Sequence, residues 1–147
     1  MLYIYINMCG IVGFLGEGNA YQNIYNGLVQ LQNRGYDSAG ITIMKNNSFV
    51  TNKYASQSDK SALELLKNKD QDSHIGIGHT RWATHGAKTD INSHPHESFN
   101  GVFTIVHNGI IENYQDLKSF LASKGIESVS KTDTEIIANL LAYYYDD

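Results

Sequence analysis

The sequence predicts an α+β fold, in which antiparallel strands and helices lie in separate layers. Two observations indicate this class. Apolar stretches typical of strands occur in groups joined by short turns, and segments with apolar residues at helical spacing lie between these groups. Strands and helices therefore do not alternate one by one, as they would in a parallel βαβ fold. The chain has 147 residues, which is enough for one domain with a buried core.

The N-terminal half is predicted to hold three strands and two helices. The spacing of Ile24, Leu28 and Leu31 indicates the first helix, and Asn19 is placed to cap its start. The adjacent asparagines 46–47 are typical of a tight turn between two strands. In chain order the predicted elements are a strand at 11–15, a helix at 20–33, a hairpin of strands at 41–44 and 48–54, and a helix at 58–69.

The C-terminal half begins with a strand that contains two glycines, Gly76 and Gly78, where another backbone or a ligand is expected to approach closely. Residues 81–101 show no periodicity, and a loop of that length is expected to be functional. Thr132 and Glu135 have the spacing of a helix capping box. The predicted elements are a strand at 75–80, a strand at 102–106, a helix from 114 that stops at Gly125, and a helix that opens at Thr132.

Composition excludes several classes of protein. The chain has 11 basic and 15 acidic residues, including two arginines, which argues against a nucleic-acid-binding surface. A single cysteine cannot form an internal disulfide, so we expect a reducing, cytoplasmic location. Residues 1–7 lack the basic residue and the length of a secretory signal, and no run approaches the ~18 apolar residues of a membrane span. We therefore expect neither a nucleic-acid nor a membrane partner.

The six histidines do not predict a metal site. The chain has one thiol, lacks an HExxH pattern, and has no second cluster of histidine and carboxylate at ligand spacing. The glycines follow no phosphate-loop pattern. We therefore expect no metal and no cofactor.

Cys9 precedes Gly10 and two β-branched residues, and this position allows two interpretations. It is a small apolar side chain at the start of a buried strand, as lone cysteines often are. Alternatively, it is a nucleophile that becomes active when the preceding residues are removed. A free α-amino group on the same residue can then serve as the base for the thiol.

Polar residues suited to binding a small amino acid concentrate at the predicted strand ends and helix starts. Arg81 could hold a carboxylate with its planar set of donors, and the adjacent Trp82 could close over a ligand. Asn108 and Gly109 could form an oxyanion hole, although an Asn-Gly pair is also an ordinary turn. Asp133 could bind an ammonium group, or it could simply stabilise the first turn of its helix.

Taken together, these stretches resemble the glutaminase domain of the glutamine–fructose-6-phosphate aminotransferase family, whose members are class II glutamine amidotransferases of the N-terminal-nucleophile hydrolase superfamily. The resemblance covers nearly the whole chain from Met8 onward and keeps the order and spacing of the motifs. It implies a four-layer αββα sandwich for residues 9–147, incomplete at the C-terminus. The motifs are MCGIVG at 8–13, RGYDSAG at 34–40, HTRWATHG at 79–86, SHPH at 93–96, VHNGIIEN at 106–113 and TDTE at 132–135.

The resemblance implies the hydrolysis of the side-chain amide of L-glutamine to glutamate and ammonia through a thioester on Cys9. The freed α-amino group of Cys9 is the general base and acid, and Asn108 with Gly109 forms the oxyanion hole. In complete relatives, the ammonia passes to a sugar-isomerase domain that makes glucosamine 6-phosphate from fructose 6-phosphate. That domain is absent from this chain. The complete enzyme is expected to be a homo-oligomer.

The resemblance also implies how the substrate is held. Arg81 and Thr84, with His85 on the same loop, bind the α-carboxylate of glutamine. Asp133, together with the backbone of the oxyanion-hole glycine, receives the α-amino group. Trp82 belongs to the loop that covers the site and helps to gate the ammonia path.

Two departures from the family pattern leave the activity of the chain open. Residues 1–8 precede the nucleophile, so either Met8 is the true initiator, or a propeptide is removed, or the site is inactive. The chain also lacks later strands of the sandwich, so we expect exposed apolar sheet faces and strand edges. The alternative functions are a catalytically silent domain that binds glutamine or a partner, and an independent thiol amidohydrolase that acts on another amide.

Overall fold

The computed structural model describes residues 9–32, 37–67, 69, 72–82 and 87–145. The elements in these ranges are antiparallel strands, α-helices and a short 3₁₀ helix at Asp90–Asn92. The strands are β1 (Gly10–Leu15), β2 (Ser38–Lys45), β3 (Ser48–Ala55), β4 (Ile75–Arg81), β5 (His96–Glu97) and β6 (Thr104–Ile105). The helices are α1 (Ala20–Gln30), α2 (Ala62–Leu66), α3 (Tyr114–Ser123) and α4 (Asp133–Tyr145).

The first sheet has the strand order β1-β4-β2-β3, and each neighbouring pair is antiparallel. The turn between β2 and β3 consists of Asn46 and Asn47, whose φ angles of 50° and 61° are those of a two-residue hairpin turn. In the β1–β4 register Gly10 lies opposite Thr80, and in the β2–β4 register Ala39 lies opposite Thr80. This pairing brings the start of the described chain next to the end of β4.

Helices α1 and α2 cover one face of this sheet and form the main core. Ile24 and Leu28 of α1 are fully buried, and they pack against Ile41 and Ile43 of β2. Gly78 leaves room for the helix, because a Cβ atom at this position would lie 2.4 Å from a methyl group of Ile24. The glycines of this strand predicted that another group would approach closely, and at Gly78 that group is helix α1.

The opposite face of the sheet carries the second layer, in which β5 pairs with β6 and α4 packs on both strands. Gly40 of β2 marks the contact between the layers, since a Cβ atom there would lie 2.1 Å from the carbonyl oxygen of His94. Part of this face stays uncovered. On β1 the side chains of Ile11 and Leu15 are 44% and 80% exposed, as expected for an incomplete sandwich.

Most predicted elements are confirmed, and the differences have local causes. The second helix begins only at Ala62, because Ser61 and Glu64 form a capping box there. The strand predicted at 102–106 is reduced to Thr104–Ile105, and the hydroxyl of Ser98 accepts hydrogen bonds from the N–H groups of Val102 and Phe103. Gly125 follows α3 with a φ angle of 78°, as predicted for a helix stop.

The capping box predicted at the start of α4 is wrong in one half. The N–H group of Glu135 approaches the hydroxyl of Thr132 at 3.5 Å, as a capping box requires. The carboxylate of Glu135, however, accepts from the N–H groups of Val129 and Ser130 at 2.7 and 2.5 Å, and the N–H group of Thr132 donates to the hydroxyl of Ser130. Glu135 therefore fixes the loop that leads into α4. Among the described residues, no helix is long and apolar enough to cross a lipid bilayer.

We predict that Gly40→Ala destabilises the domain by about 1–3 kcal/mol, since the added methyl group would press on a backbone carbonyl that cannot rotate away. Gly13→Ala is the matched control in the same sheet, because its Cβ would meet nothing within 4 Å. Alanine restricts the unfolded chain more than glycine does, so the control should be neutral or slightly stabilising. Urea unfolding of both variants measures the difference, and equal midpoints would contradict this packing of the layers.

Candidate active site

Cys9 lies at the entrance of β1, directly against the end of β4. Its Sγ atom accepts a hydrogen bond from the N–H group of Trp82 at 3.1 Å and lies 3.7 Å from the carbonyl oxygen of the same residue. The side chain is half-buried and forms no disulfide. The sulfur is therefore within reach of both the backbone N–H and the backbone carbonyl of Trp82.

Asn108 joins Cys9 to His79 in the central strand β4. Its Nδ2 atom donates to the backbone oxygen of Cys9 at 2.8 Å, and its Oδ1 atom lies 2.8 Å from Nε2 of His79. Asn108 itself is exposed, while the ring of His79 is 1% exposed. Both ends of the amide are therefore held, and the second N–H of Nδ2 remains able to donate to a bound molecule.

The loop that carries Asn108 is tied to its surroundings on both sides. The N–H group of His107 donates to Nδ1 of His94 at 3.4 Å, and the N–H group of Ile111 donates to Oδ2 of Asp133 at 2.8 Å. Between them Gly109 has a φ angle of 152°, and a Cβ atom there would lie 2.8 Å from the ring of His107. Glycine is therefore required at this position by both its backbone conformation and its packing.

Arg81 is the buried positive charge of the site. Its side chain is 6% exposed at the end of β4, and this burial lowers the pKa of its guanidinium group. The charges on Cys9, Asp37 and Asp133 act in the opposite direction and favour the charged form. The structure therefore places Arg81 within electrostatic reach of both Cys9 and Asp133.

Of the predicted site residues, Cys9 is hydrogen-bonded to both Trp82 and Asn108. The charge of Asp133 favours the charged form of Arg81. Gly109 follows Asn108, and the contact that defines its position is with His107. The remaining predicted binding residues, Thr84 and His85, lie outside the described residues, and so does the extension at 1–8. The described chain resumes at Ala87, and the next residue, Lys88, forms an ion pair with the buried Asp37.

Three buried histidines, His79, His94 and His96, lie near the loop that carries Asn108. The rings of His79 and His94 are stacked with centroids 4.3 Å apart, and His96 meets His94 edge-on at 4.7 Å. Burial lowers the pKa of all three rings, to about 4 for His79 and about 3 for His96. All three are therefore neutral at pH 7. In the part of the chain that the structure describes, no group of three or more histidine, cysteine, aspartate or glutamate residues could hold a metal ion.

His79 and Thr80 also contact the site, although the sequence motifs predicted no role for either residue. The hydroxyl of Thr80 accepts from the N–H group of Gly10 at 3.2 Å and so helps to position the residue after Cys9. One signal was available in the sequence. Two polar residues follow Gly76 and Gly78 in a strand that is otherwise apolar, and polar side chains buried in a central strand need specific partners.

We predict that the free energy of unfolding falls steeply as the pH is lowered from 6 to 5. Each buried histidine is neutral when folded and takes up a proton on unfolding below pH ~6.5, which costs up to about 1.4 kcal/mol per pH unit. Stability is therefore retained above pH ~6.5 and lost toward the lowered pKa values of the folded chain.

His96→Gln should reduce this slope by about one third, since it removes one of three such groups and keeps a polar partner for Thr132, whose hydroxyl lies 3.0 Å from Nε2 of His96. Urea unfolding measured at several pH values gives the slope. A slope identical to that of the parent would show that His96 does not contribute to the acid sensitivity.

Comparison with solved structures supports the α+β class. The glutamine phosphoribosylpyrophosphate amidotransferase from B. subtilis superposes with a TM-score of 0.71 and 28% identity, over 90% of this chain and 29% of that chain. A structure of the allosteric regulatory enzyme of purine biosynthesis gives a TM-score of 0.73 at the same identity and coverage. The predicted fold class, that of the N-terminal-nucleophile amidotransferase domains, is thereby confirmed.

Comparison of sequences points to the same kind of domain. The glutamine–fructose-6-phosphate aminotransferase (isomerizing) of Caldanaerobacter subterraneus is 50% identical over 139 residues, which is 95% of this chain and 23% of the relative. The enzyme of the same name from Corynebacterium glutamicum is 48% identical over 145 residues, with the same coverage of both chains. This chain therefore spans about a quarter of the length of these curated relatives.

The family comparison covers the C-terminal part of the site. Residues 66–146 match the family of the glutamine amidotransferase domain, and this range includes β4, the Asn108 loop and α4. Since the match extends over more than half of the 147 residues, the chain belongs to the glutamine amidotransferase domain family.

Proposed function

We propose that this domain hydrolyses the side-chain amide of L-glutamine with Cys9 as the nucleophile. The observation that carries the proposal is the arrangement around Cys9. A backbone donor from Trp82 lies 3.1 Å from the sulfur atom, and the Asn108 amide is anchored on the carbonyl oxygen of the same cysteine. The sulfur and the amide donor thus meet at the same residue, Cys9. Acyl transfer needs a nucleophile and an oxyanion donor close together.

The reaction proceeds through a thioester. The Cys9 sulfur attacks the amide carbon, and the thiol proton moves to the free α-amino group of Cys9. The carbonyl oxygen becomes an oxyanion that the second N–H of the Asn108 amide and the N–H group of Gly109 stabilise. Collapse of this intermediate breaks the carbon–nitrogen bond, and the proton returns to the leaving nitrogen to release ammonia. Water then cleaves the thioester to glutamate and restores the thiol.

Selection of glutamine rests on two opposite charges. The guanidinium group of Arg81 binds the α-carboxylate through parallel hydrogen bonds, helped by Thr84 and His85. The carboxylate of Asp133 receives the α-ammonium group. Asp133 has acceptor capacity for this, because one of its oxygens accepts from the N–H group of Ile111 and a carboxylate offers several lone pairs. A zwitterionic substrate with a side-chain amide fits this pair better than a simple amide.

In the context of the longer relatives, we infer that the ammonia is used for amino-sugar synthesis. The curated relatives are named glutamine–fructose-6-phosphate aminotransferase, and the chain covers 23% of the two described above. The sugar chemistry would take place in a sugar-isomerase domain outside this chain. Trp82, on the loop that covers the glutamine site, is proposed to help gate the passage of ammonia.

The first test compares two forms of the chain, one that retains residues 1–8 and one that begins at Cys9. An amide nitrogen has no basic lone pair, so the extended form should hydrolyse glutamine at least about 100-fold more slowly than the form with a free amine. Ammonia release measures the rate, and the intact mass shows whether the extension is removed. Absence of hydrolysis in both forms would favour a silent glutamine-binding domain.

We predict that Cys9→Ala abolishes hydrolysis and leaves glutamine binding measurable, since the binding charges lie on other residues. Calorimetric titration with glutamine and an ammonia assay give the two quantities. Turnover retained in Cys9→Ala would contradict the thioester mechanism.

Arg81→Lys should weaken glutamine binding about tenfold or more, because lysine keeps the charge but loses the two parallel donors of the guanidinium group. The urea midpoint of the variant should change little by comparison. The measurement is the glutamine dissociation constant in the Cys9→Ala background, where no turnover interferes. Equal affinities with and without the substitution would remove the carboxylate-binding role from Arg81.

A further inference from the structure

The orientation of the Asn108 amide can be read from its two partners. The backbone oxygen of Cys9 can only accept hydrogen bonds, so the Asn108 atom 2.8 Å away is the donor Nδ2. Oδ1 of the same amide then faces Nε2 of His79 at 2.8 Å. Because Oδ1 can only accept, Nε2 of His79 must carry a proton.

The ring of His79 has one proton to give and is fixed in place. Burial keeps the ring neutral by lowering its pKa to about 4, so a single nitrogen is protonated at pH 7. The ring belongs to the central strand β4, opposite Ile11 of β1 and Gly40 of β2. His94 is stacked on it at 4.3 Å with an interplanar angle of 19°. His79 therefore offers a rigid donor at a defined point.

Two hydrogen bonds hold the Asn108 amide: its Nδ2 atom donates to the backbone oxygen of Cys9, and its Oδ1 atom accepts from Nε2 of His79. Asn108, Gly109 and Ile110 are all exposed, so packing does not hold the amide. If the amide turned by 180°, its carbonyl oxygen would point to where the oxyanion develops and would repel it. The hydrogen bond from Nε2 of His79 forms only when Oδ1 of Asn108 faces the ring, so it disfavours the turned amide.

We propose that His79 is a positioning residue for the reaction, because its Nε2–H donor holds Asn108 with the Nδ2 group directed to the oxyanion. This inference rests on the proposed glutaminase function and adds a residue to it. His79 touches neither the substrate nor the sulfur in this arrangement and acts through Asn108.

The test compares His79→Gln with His79→Asn in the chain that begins at Cys9. The amide nitrogen of glutamine can reach the position of Nε2, whereas that of asparagine reaches only the position of Nδ1. Both variants are polar and similar in shape, so they should differ little in stability. We expect kcat to fall about 10- to 100-fold in His79→Asn with KM for glutamine changed less than about threefold, and His79→Gln to recover most of the loss.

A ligand that mimics the tetrahedral state separates positioning from a general structural effect. The γ-aldehyde of glutamate adds to a thiol and forms an oxyanion, whereas glutamate itself does not. His79→Asn should weaken the aldehyde by the same factor as kcat and leave glutamate nearly unchanged. Equal loss of both ligands, or parental affinity for both, would overturn the proposal.

Two further measurements bear on the mechanism of the effect. In an Asn108→Ala background, His79→Asn should cost less than about threefold, because its effect passes through the missing amide. Full additivity would contradict this coupling. Nitrogen NMR of the His79 ring should show the proton on Nε2, and a proton on Nδ1 would overturn the inference regardless of activity. A parent chain that neither turns over glutamine nor binds the aldehyde would refute the proposed function and this inference with it.

Discussion

Antiparallel pairing of β1 with β4 is the constraint on which the rest of the site depends. Gly10 lies opposite Thr80, so Cys9, just before β1, comes to the level of Arg81, the last residue of β4, and next to Trp82. This register places the Cys9 sulfur on the N–H group of Trp82. A shift of one residue would turn every side chain of β1 to the other face of the sheet, and the cysteine would lose both its donor and its neighbours.

The chain that follows the first sheet contributes two further polar residues to the site, Asn108 and Asp133. Side chains of β4 alternate between the two faces, and those of His79 and Arg81 point away from α1. The chain segments that cover this face bring Asn108 to the nucleophile and Asp133 to the neighbourhood of the arginine. The hydrogen bond from the N–H group of Ile111 to Asp133 connects the loop that carries Asn108 to the start of α4. The site is thus formed between layers and needs both of them in register.

Much of this arrangement could be predicted from the sequence, and the exceptions share a physical reason. Local signals placed Asn19 at the start of α1 and the asparagine turn between β2 and β3, because caps and turns depend on neighbouring residues. The carboxylate of Glu135 bonded to Val129 and Ser130 instead of Thr132, since the loop before α4 offered better donors. Family motifs identified Cys9 and Asn108, but not their hydrogen bonds.

The role of His79 shows where sequence reasoning ends. Its place in a strand predicts burial, but the choice of partner depends on Asn108, which lies 29 positions further along the chain. Likewise, the two-strand second sheet is short because side chains of its own loop satisfy the backbone, and no periodicity reports such bonds. Motif spacing therefore predicts which segments form the site, whereas the hydrogen-bond partners within it depend on contacts between segments far apart in the chain.

The hydrogen bond between Cys9 and Trp82 has a practical consequence, because the chain contains a single tryptophan. A group attached to the sulfur changes the surroundings of this backbone N–H group. The single indole of the chain belongs to a residue whose backbone contacts Cys9, and excitation selective for indole avoids the emission of the ten tyrosines. Tryptophan fluorescence of unlabelled protein is therefore the natural signal with which to look for acylation, alkylation or oxidation of Cys9.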